Sequence, residues 1–397
     1  MDLPIGDRIR HYRGPRRQDV VAGLVGISVD YYSQIERGLR IPTIGVLHQI
    51  ARELGVPTAA LLAETTVSAA KPSDTAAPAI ARALMGCGPA PNTRPVEPRL
   101  LRERVESAWR SWQSSPTRFT DAAEVLPALI ADVEHADHAH RTDADPGERR
   151  EVLRIAADMY FLLRSYLRRT GRVDLSMMAA DRAMRAAEDA DDPLRIAAAQ
   201  WNLGHVLLAA GDADGAEQTA VRGAEQLQPQ VANGDVRFAA MQGALHLVSV
   251  VACARRRDWW TARDRLLEVA APAARRAGEG NIMWTVFGPT NVALHLVSIE
   301  MEAGEAADAL RRADSIDMSW MPSLERSFTH LIEVARCYDL RREDAAVLLQ
   351  LLQAEEVAPE DMVRTAAARD MTVGLMRRAR ATHARQAEAL AGRMGLL

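Results

Sequence analysis

At 397 residues with 48% hydrophobic content, the chain is long enough for two or three domains, each with a sizeable core. A net charge of −4 argues against a protein that coats nucleic acid indiscriminately, and Lys71 is the only lysine, so nearly all cationic side chains are arginines. Cys87, Cys253 and Cys337 are widely spaced without a C-x-x-C pair and read as idle or buried thiols in a reducing cytosol.

In chain order, a first helix is expected over residues 5–12. Val21, Ala22 and Val25 then make an apolar stripe after Gln18. Gly26 permits a tight reversal, and the hydroxyl of Ser28 is placed to cap a helix starting at Val29. Two short helices joined by a Gly-containing turn make a helix-turn-helix. Tyr32 and Ile35 face inward on the second, leaving Val29, Asp30, Ser33, Gln34 and Arg37 on the face that would enter a major groove. Thr43 caps a further helix that stops at Gly55, and Leu61 and Leu62 close the core.

Over residues 5–64, Arg17-Gln18, Gly26-Ile27-Ser28, Tyr31, Ile35-Glu36-Arg37-Gly38, Pro42 and the run 47–56 resemble the lambda-repressor-like (Cro/XRE-type) family of helix-turn-helix DNA-binding domains. The resemblance implies a five-helix fold in which Gln18 and Arg40 hold phosphates while Val29, Asp30 and Gln34 face base edges. The implied DNA-contacting set is Arg17, Gln18, Ser28, Val29, Asp30, Tyr31, Ser33, Gln34, Arg37 and Arg40. Two residues depart from the pattern. Asp30 is acidic, suited to accept from cytosine N4 but repelled by nearby phosphates. Pro57 stands where a Ser or Asp cap is usual. Residues 1–64 hold eight arginines against seven acids, a net +1 that leaves −5 for the remainder. So weak a charge predicts poor binding by one copy, and a homodimer on double-stranded operator DNA is expected.

Residues 65–98 are rich in Thr, Ser, Ala and Pro and read as a flexible linker. From 99 to 397 the pattern is helical throughout, broken every 15–25 residues by Gly, Asp or Pro. The expected fold is all-α, the second domain being a solenoid of antiparallel helical hairpins. Residues 196–228 resemble a tetratricopeptide repeat, with Leu203-Gly204, Gly211, Ala216, Ala220 and Gly223 at its packing positions, and a fainter copy lies forty residues earlier. ALHLVS occurs at residues 244–249 and again at 293–298. No charged-then-apolar leader is visible, and no apolar run reaches the roughly 18 residues of a membrane span, so a cytoplasmic protein with no membrane partner is expected.

On the repeats, polar residues share helix faces: Asn291, His295, Ser298 and Glu302 on one, Gln242, His246 and Ser249 on the other. With Trp201, Asn202, His205 and Trp284 they would form a groove suited to an extended peptide or a polar small molecule. Stacking of duplicated repeats accounts for the same positions through packing alone. Glu134, His135, Asp137, His138 and His140 lack the fixed ligand set of a zinc site and read as a solvated helix end, and no metal is assigned. The arginine-rich stretch 377–385 reads as a solvated face that caps the solenoid. Nucleotide-binding and hydrolase motifs are absent, so no catalytic residue and no cofactor is assigned.

The combination resembles the peptide-sensing regulators of bacterial cell–cell communication (quorum sensing) and similarly built regulators of actinobacteria. It implies a transcription regulator whose repeats sense an effector and dimerise. In such regulators a groove asparagine grips peptide backbone, a part that either Asn202 or Asn291 would fill here. The alternative is a scaffold in which the DNA-binding head only localises a protein complex assembled on the repeats.

Overall fold

The chain folds as two units, Met1–Lys71 and Pro72–Leu397. The computed structural model describes residues 5–14, 16–54, 56, 58, 61, 77–89, 94–141, 145–378 and 381–397. Among the described residues every regular element is helical, so the protein is all-α as its periodicity requires.

The first unit holds α1 (Ile5–Arg13), α2 (Gln18–Val25), α3 (Val29–Glu36) and α4 (Ile44–Leu54). Gly55, Pro57 and Leu62, expected around the fifth helix, lie outside the described residues, which there include only 56, 58 and 61. Gly26 ends α2 at φ 77°, a left-handed turn in which the Gly26 and Ile27 N–H groups both reach the Ala22 carbonyl. α3 starts at once because Ser28 Oγ accepts from the Tyr31 N–H at 3.2 Å. Thr43 Oγ1 does the same for the Val46 N–H of α4. Ile9, Val21, Val25, Tyr32, Ile35, Leu47, Ile50 and Leu61 make a closed core. α1 crosses α3 at Gly6, where a Cβ would lie 2.4 Å from the Ile35 carbonyl oxygen. Any larger residue there would push the two helices apart.

The second unit continues with α5 (Ala77–Leu84), α6 (Pro98–Ser114), α7 (Arg118–Ala139), α8 (Pro146–Arg169), α9 (Val173–Asp189), α10 (Pro193–Ala210), α11 (Ala213–Gln226), α12 (Gln228–Ala232) and α13 (Val236–Arg255). Aspartates start five of these and later helices, Asp145, Asp192, Asp212, Asp235 and Asp258 each accepting from an N–H of the first turn. That geometry explains why the breaks fall where the sequence places Asp beside Gly or Pro. α8 to α11 pack as successive hairpins and α13 closes on α11, the order that a solenoid requires. Their interfaces are lined by Ala179, Ala183, Ala198, Ala216 and Ala220, and Gly204 presses against Val248. Small residues let the backbones approach closely.

After α13 come α14 (Trp259–Arg265) and α15 (Ala271–Ala277), one continuous rod with a π turn at Leu266–Ala270. Pro272 has no N–H for the Glu268 carbonyl, and widening the helix just before it relieves the clash. A loop with the short turn Ile282–Trp284 leads to α16 (Pro289–Glu302) and α17 (Ala306–Ala313). α18 (Leu324–Leu340), α19 (Asp344–Val357), α20 (Pro359–Arg364), α21 (Ala366–Arg378) and α22 (Ala381–Arg393) form a second core around Phe328, Leu351, Met371 and Leu390.

Three expectations need correction. The linker reading of 65–98 fails over α5: Ile80, Ala83 and Leu84 are buried in the second unit's core, and Arg182 Nη2 caps the Leu84 carbonyl at 2.6 Å. Prolines around it disguised an amphipathic helix of two turns, and Pro78, as its second residue, costs no hydrogen bond. The reading that no apolar run reaches membrane length fails at Val236–Arg255 and across Ile282–Glu302, which are long and apolar enough to cross a bilayer. The first is a core helix and the second a short turn and loop running into α16, and burial of more than half of each accounts for their composition. The 377–385 stretch is not simply solvated, since Arg378 pairs with Asp344 at 2.8 Å and with Asp339, tying α21 to α18 and α19.

Candidate DNA-reading head and effector cleft

The outer face of α3 is the head's most distinctive surface. Val29, Asp30 and Arg37 are exposed, and Ser33, Gln34 and Tyr31 are half-buried beside them. Gln34 Nε2 donates to Asp30 Oδ2 at 2.8 Å, so the two expected base-reading groups first meet each other. That bond leaves the Gln34 oxygen and the remaining Asp30 lone pairs outward, an acceptor-rich pair suited to amino groups of cytosine or adenine. Arg37 leans back on the Ser33 carbonyl and Arg40 is exposed beyond it.

Other members of the expected set have structural work. Ser28 is spent on its cap. Arg17 pairs with Asp19 at 2.6 Å in solvent, a bond that a phosphate can replace at little cost. The Gln18 amide, expected on a phosphate, instead donates to Glu36 Oε2 at 2.6 Å, because Glu36 is buried and needs every donor within reach. Arg13 completes that site with Nε to Oε1 at 2.6 Å and Nη2 to Oε2 at 3.0 Å. Burial alone would push the Glu36 carboxyl up, but the bonds from Arg13 and Gln18 outweigh it and hold its pKa below the ordinary value. This knot fixes α1, α2 and α3 to one another, and sequence reading took Glu36 only as part of a family pattern.

In the second unit, a cleft opens between α6, α8, α10, α18 and the 279–288 loop. Its free volume is about 60 Å³. Trp109, Trp112, Trp201 and Trp284 contribute its aromatic walls, and Arg118, Arg164, Arg168 and Arg326 point into it with Glu325 as the one acid of its lining. Trp284 stacks on Trp109 with ring centroids 5.2 Å apart and planes 2° from parallel. Gln113 holds the loop, its amide donating to the Trp284 carbonyl at 3.1 Å and accepting from Asn281 Nδ2 at 2.7 Å. Met283, Trp284 and Val286 have φ of 48°, 62° and 52°, left-handed conformations that cost about 1–3 kcal/mol each in side-chain-bearing residues. The stacked tryptophans and Gln113 hold that loop in place at the cleft wall.

Arg118, fully buried, forms a two-pronged ion pair with Asp361 and reaches Glu325 at 3.3 Å. Arg169 also pairs with Glu325, and Arg168 approaches it at 3.8 Å. Burial would raise the Glu325 carboxyl, but Arg169, Arg118 and Arg168 drive it well below the ordinary range. Burial and the neighbouring Arg168 pull Arg164 well below the usual arginine value. Arg168 is lowered to about 10 by burial and Arg169. His205 and His295 are held neutral by burial first and by nearby arginines second, His295 at about 3.

The structure gathers only part of the expected groove. Trp201, His205, Asn291 and His295 line one recess with Arg326, and Trp284 lines the adjoining cleft. Asn202 is buried and spent: Oδ1 accepts from Arg164 and Nδ2 donates to the Ala198 carbonyl at 2.7 Å, which removes it as a peptide grip. Gln242 donates to the Ala224 carbonyl and to Gln228, stapling α13 to its neighbours. His246 has Arg265 as its charged neighbour, so the two ALHLVS copies share burial and not a common groove. The arginines were missed. Their signal was present as Arg164 and Arg168, one turn apart at the end of a helix that from Val152 to Leu167 is otherwise largely apolar apart from Arg154, Asp158 and Ser165. Among the described residues no group of three metal-binding side chains forms, including around His135 and His138.

Residues 4–64 match the family model of the helix-turn-helix domain. The chain is also similar to the crystal structure of Bacillus thuringiensis PlcR in complex with the peptide PapR7 and DNA, at 12% identity, with 89% of this chain and 98% of that one covered. The TM-score is 0.31, too low for that likeness to carry an argument. No curated protein matches significantly.

Proposed function

We propose that the protein is a cytoplasmic, non-enzymatic transcription regulator: the head reads operator DNA as a homodimer, and the helical unit 72–397 senses a peptide or small-molecule effector. The observation that carries the reading is the Gly26 turn and Ser28-capped α3, which present Val29, Asp30, Gln34 and Arg37 on a face free of the head's own core. A helix so exposed, with hydrogen-bonding side chains one turn apart, fits a major groove. The effector role is supported by a cleft with buried charge and aromatic walls in the helical unit. A Gln34→Ala variant of the full chain tests the head, using a site selected from random duplexes. Specific affinity is expected to fall by about 1–3 kcal/mol with binding to unrelated duplex unchanged. Equal loss on both DNAs would remove Gln34 from base reading.

A further inference from the structure

The cleft holds more positive charge than its own carboxylates balance. Arg118, Arg164, Arg168, Arg169 and Arg326 face two acids, Glu325 and Asp361, and Asp361 is fully engaged by Arg118. Glu325 is shared by three ion-paired arginines and lies near Arg326 as well, which forms no ion pair of its own among the described residues. Arg164 is 2% exposed, its Nε has no hydrogen-bond partner, and its one charged-group bond goes to a neutral amide, Asn202. A guanidinium removed from water with only an amide and the face of Trp201, 5.4 Å away, to answer it is costly, and like charges crowded around it add to that cost. The histidines nearby stay neutral and add N–H donors without adding charge.

We propose that this arginine cleft is an oxyanion site, taking a carboxylate or phosphate group of the effector between Arg164, Arg168 and Arg326. The free volume of about 60 Å³ suits one such group, with the rest of the ligand outside the cleft. Arg168 and Arg326 are partly exposed and so reach the anion from the open side, while Arg164 meets it from the buried side. Guanidinium groups match the planar fork of a carboxylate and the tetrahedral oxygens of a phosphate alike. The site rests on the effector-sensing reading and names its chemistry.

The test uses the full chain in melting experiments at constant ionic strength, with acetate, methyl phosphate and methylammonium as probes. A saturable rise in Tm with one or both anions and none with methylammonium is expected, and the tighter anion names the source. Arg326→Gln should weaken the anion's apparent Kd at least about tenfold, while leaving the Tm without ligand equal or higher because a repelling charge is gone. Arg168→Gln serves the same purpose if the first variant does not fold. Absence of any anion-specific rise, or an equal rise in wild type and variant, overturns the site, since salts that act by surface exclusion stabilise both alike. Operator affinity measured in the same samples separates the two readings. Anion binding that leaves DNA affinity unchanged upholds the site and removes the effector role, and DNA affinity that answers to a peptide while no anion binds does the reverse.

Discussion

Replacing Glu36 with alanine isolates the knot that holds the three head helices together. Glu36 is 4% exposed and accepts three hydrogen bonds, two from an Arg13 side chain that is itself 13% exposed. Removing the carboxylate leaves a largely buried guanidinium and the Gln18 amide without their acceptor, a change that costs about 3–5 kcal/mol when no alternative exists. Arg13 can still donate to the Gly14 and Arg16 carbonyls, which places the expected loss near the lower end, about 3 kcal/mol. At about 1.4 kcal/mol per decade, amide hydrogens of α2 and α3 should then exchange about a hundredfold faster in the intact chain at neutral pH. Because the folded pKa of Glu36 lies below its unfolded value, its contribution is present above about pH 4.3 and is lost as pH falls through the folded value. The gap between wild type and variant should close in acid. Exchange within about threefold of wild type at neutral pH would show that packing alone positions α3.

Two further predictions concern the helical unit. A Cβ at Gly243 would lie 2.0 Å from the Phe287 ring, so Gly243→Ala should cost at least about 1–3 kcal/mol in urea unfolding, and an unchanged midpoint would show that α13 does not approach Phe287 so closely. His295 is neutral when folded, at about 3, and returns to about 6.5 when unfolded, so the unfolded chain takes up a proton that the folded chain refuses. Stability should therefore fall as pH drops below about 6.5, by up to about 1.4 kcal/mol per unit. Glu333, pushed up to about 7 by burial, acts with the opposite sign, so the comparison is between wild type and His295→Gln, whose pH slope should be shallower. Identical slopes would refute the burial of a neutral His295.

The head was legible because its signals are local. Gly26, Ser28 and the inward pair Tyr32 and Ile35 each act within one turn of their own backbone, and spacing is enough to read them. The helical unit was legible in outline for the same reason, its aspartate caps marking where helices begin. Its α5 was not, since prolines near a short helix look the same whether or not a core waits to receive Ile80 and Leu84.

Sequence alone determined that the chain is all-α, that a helix-turn-helix precedes a helical array, and which face of α3 is outward. Tertiary structure decided what the polar residues do. Asn202 and Gln242 carried the same pattern signal as Asn291 and His295, yet their amides close on Arg164, Ala198, Ala224 and Gln228, partners up to 38 residues away. Arg118 and Asp361 pair across 243 residues, and Glu325 collects arginines from α7 and α8. Periodicity reports which side of a helix is turned inward, but the charge balance of a cleft depends on which distant helices meet there, and that is fixed only by packing.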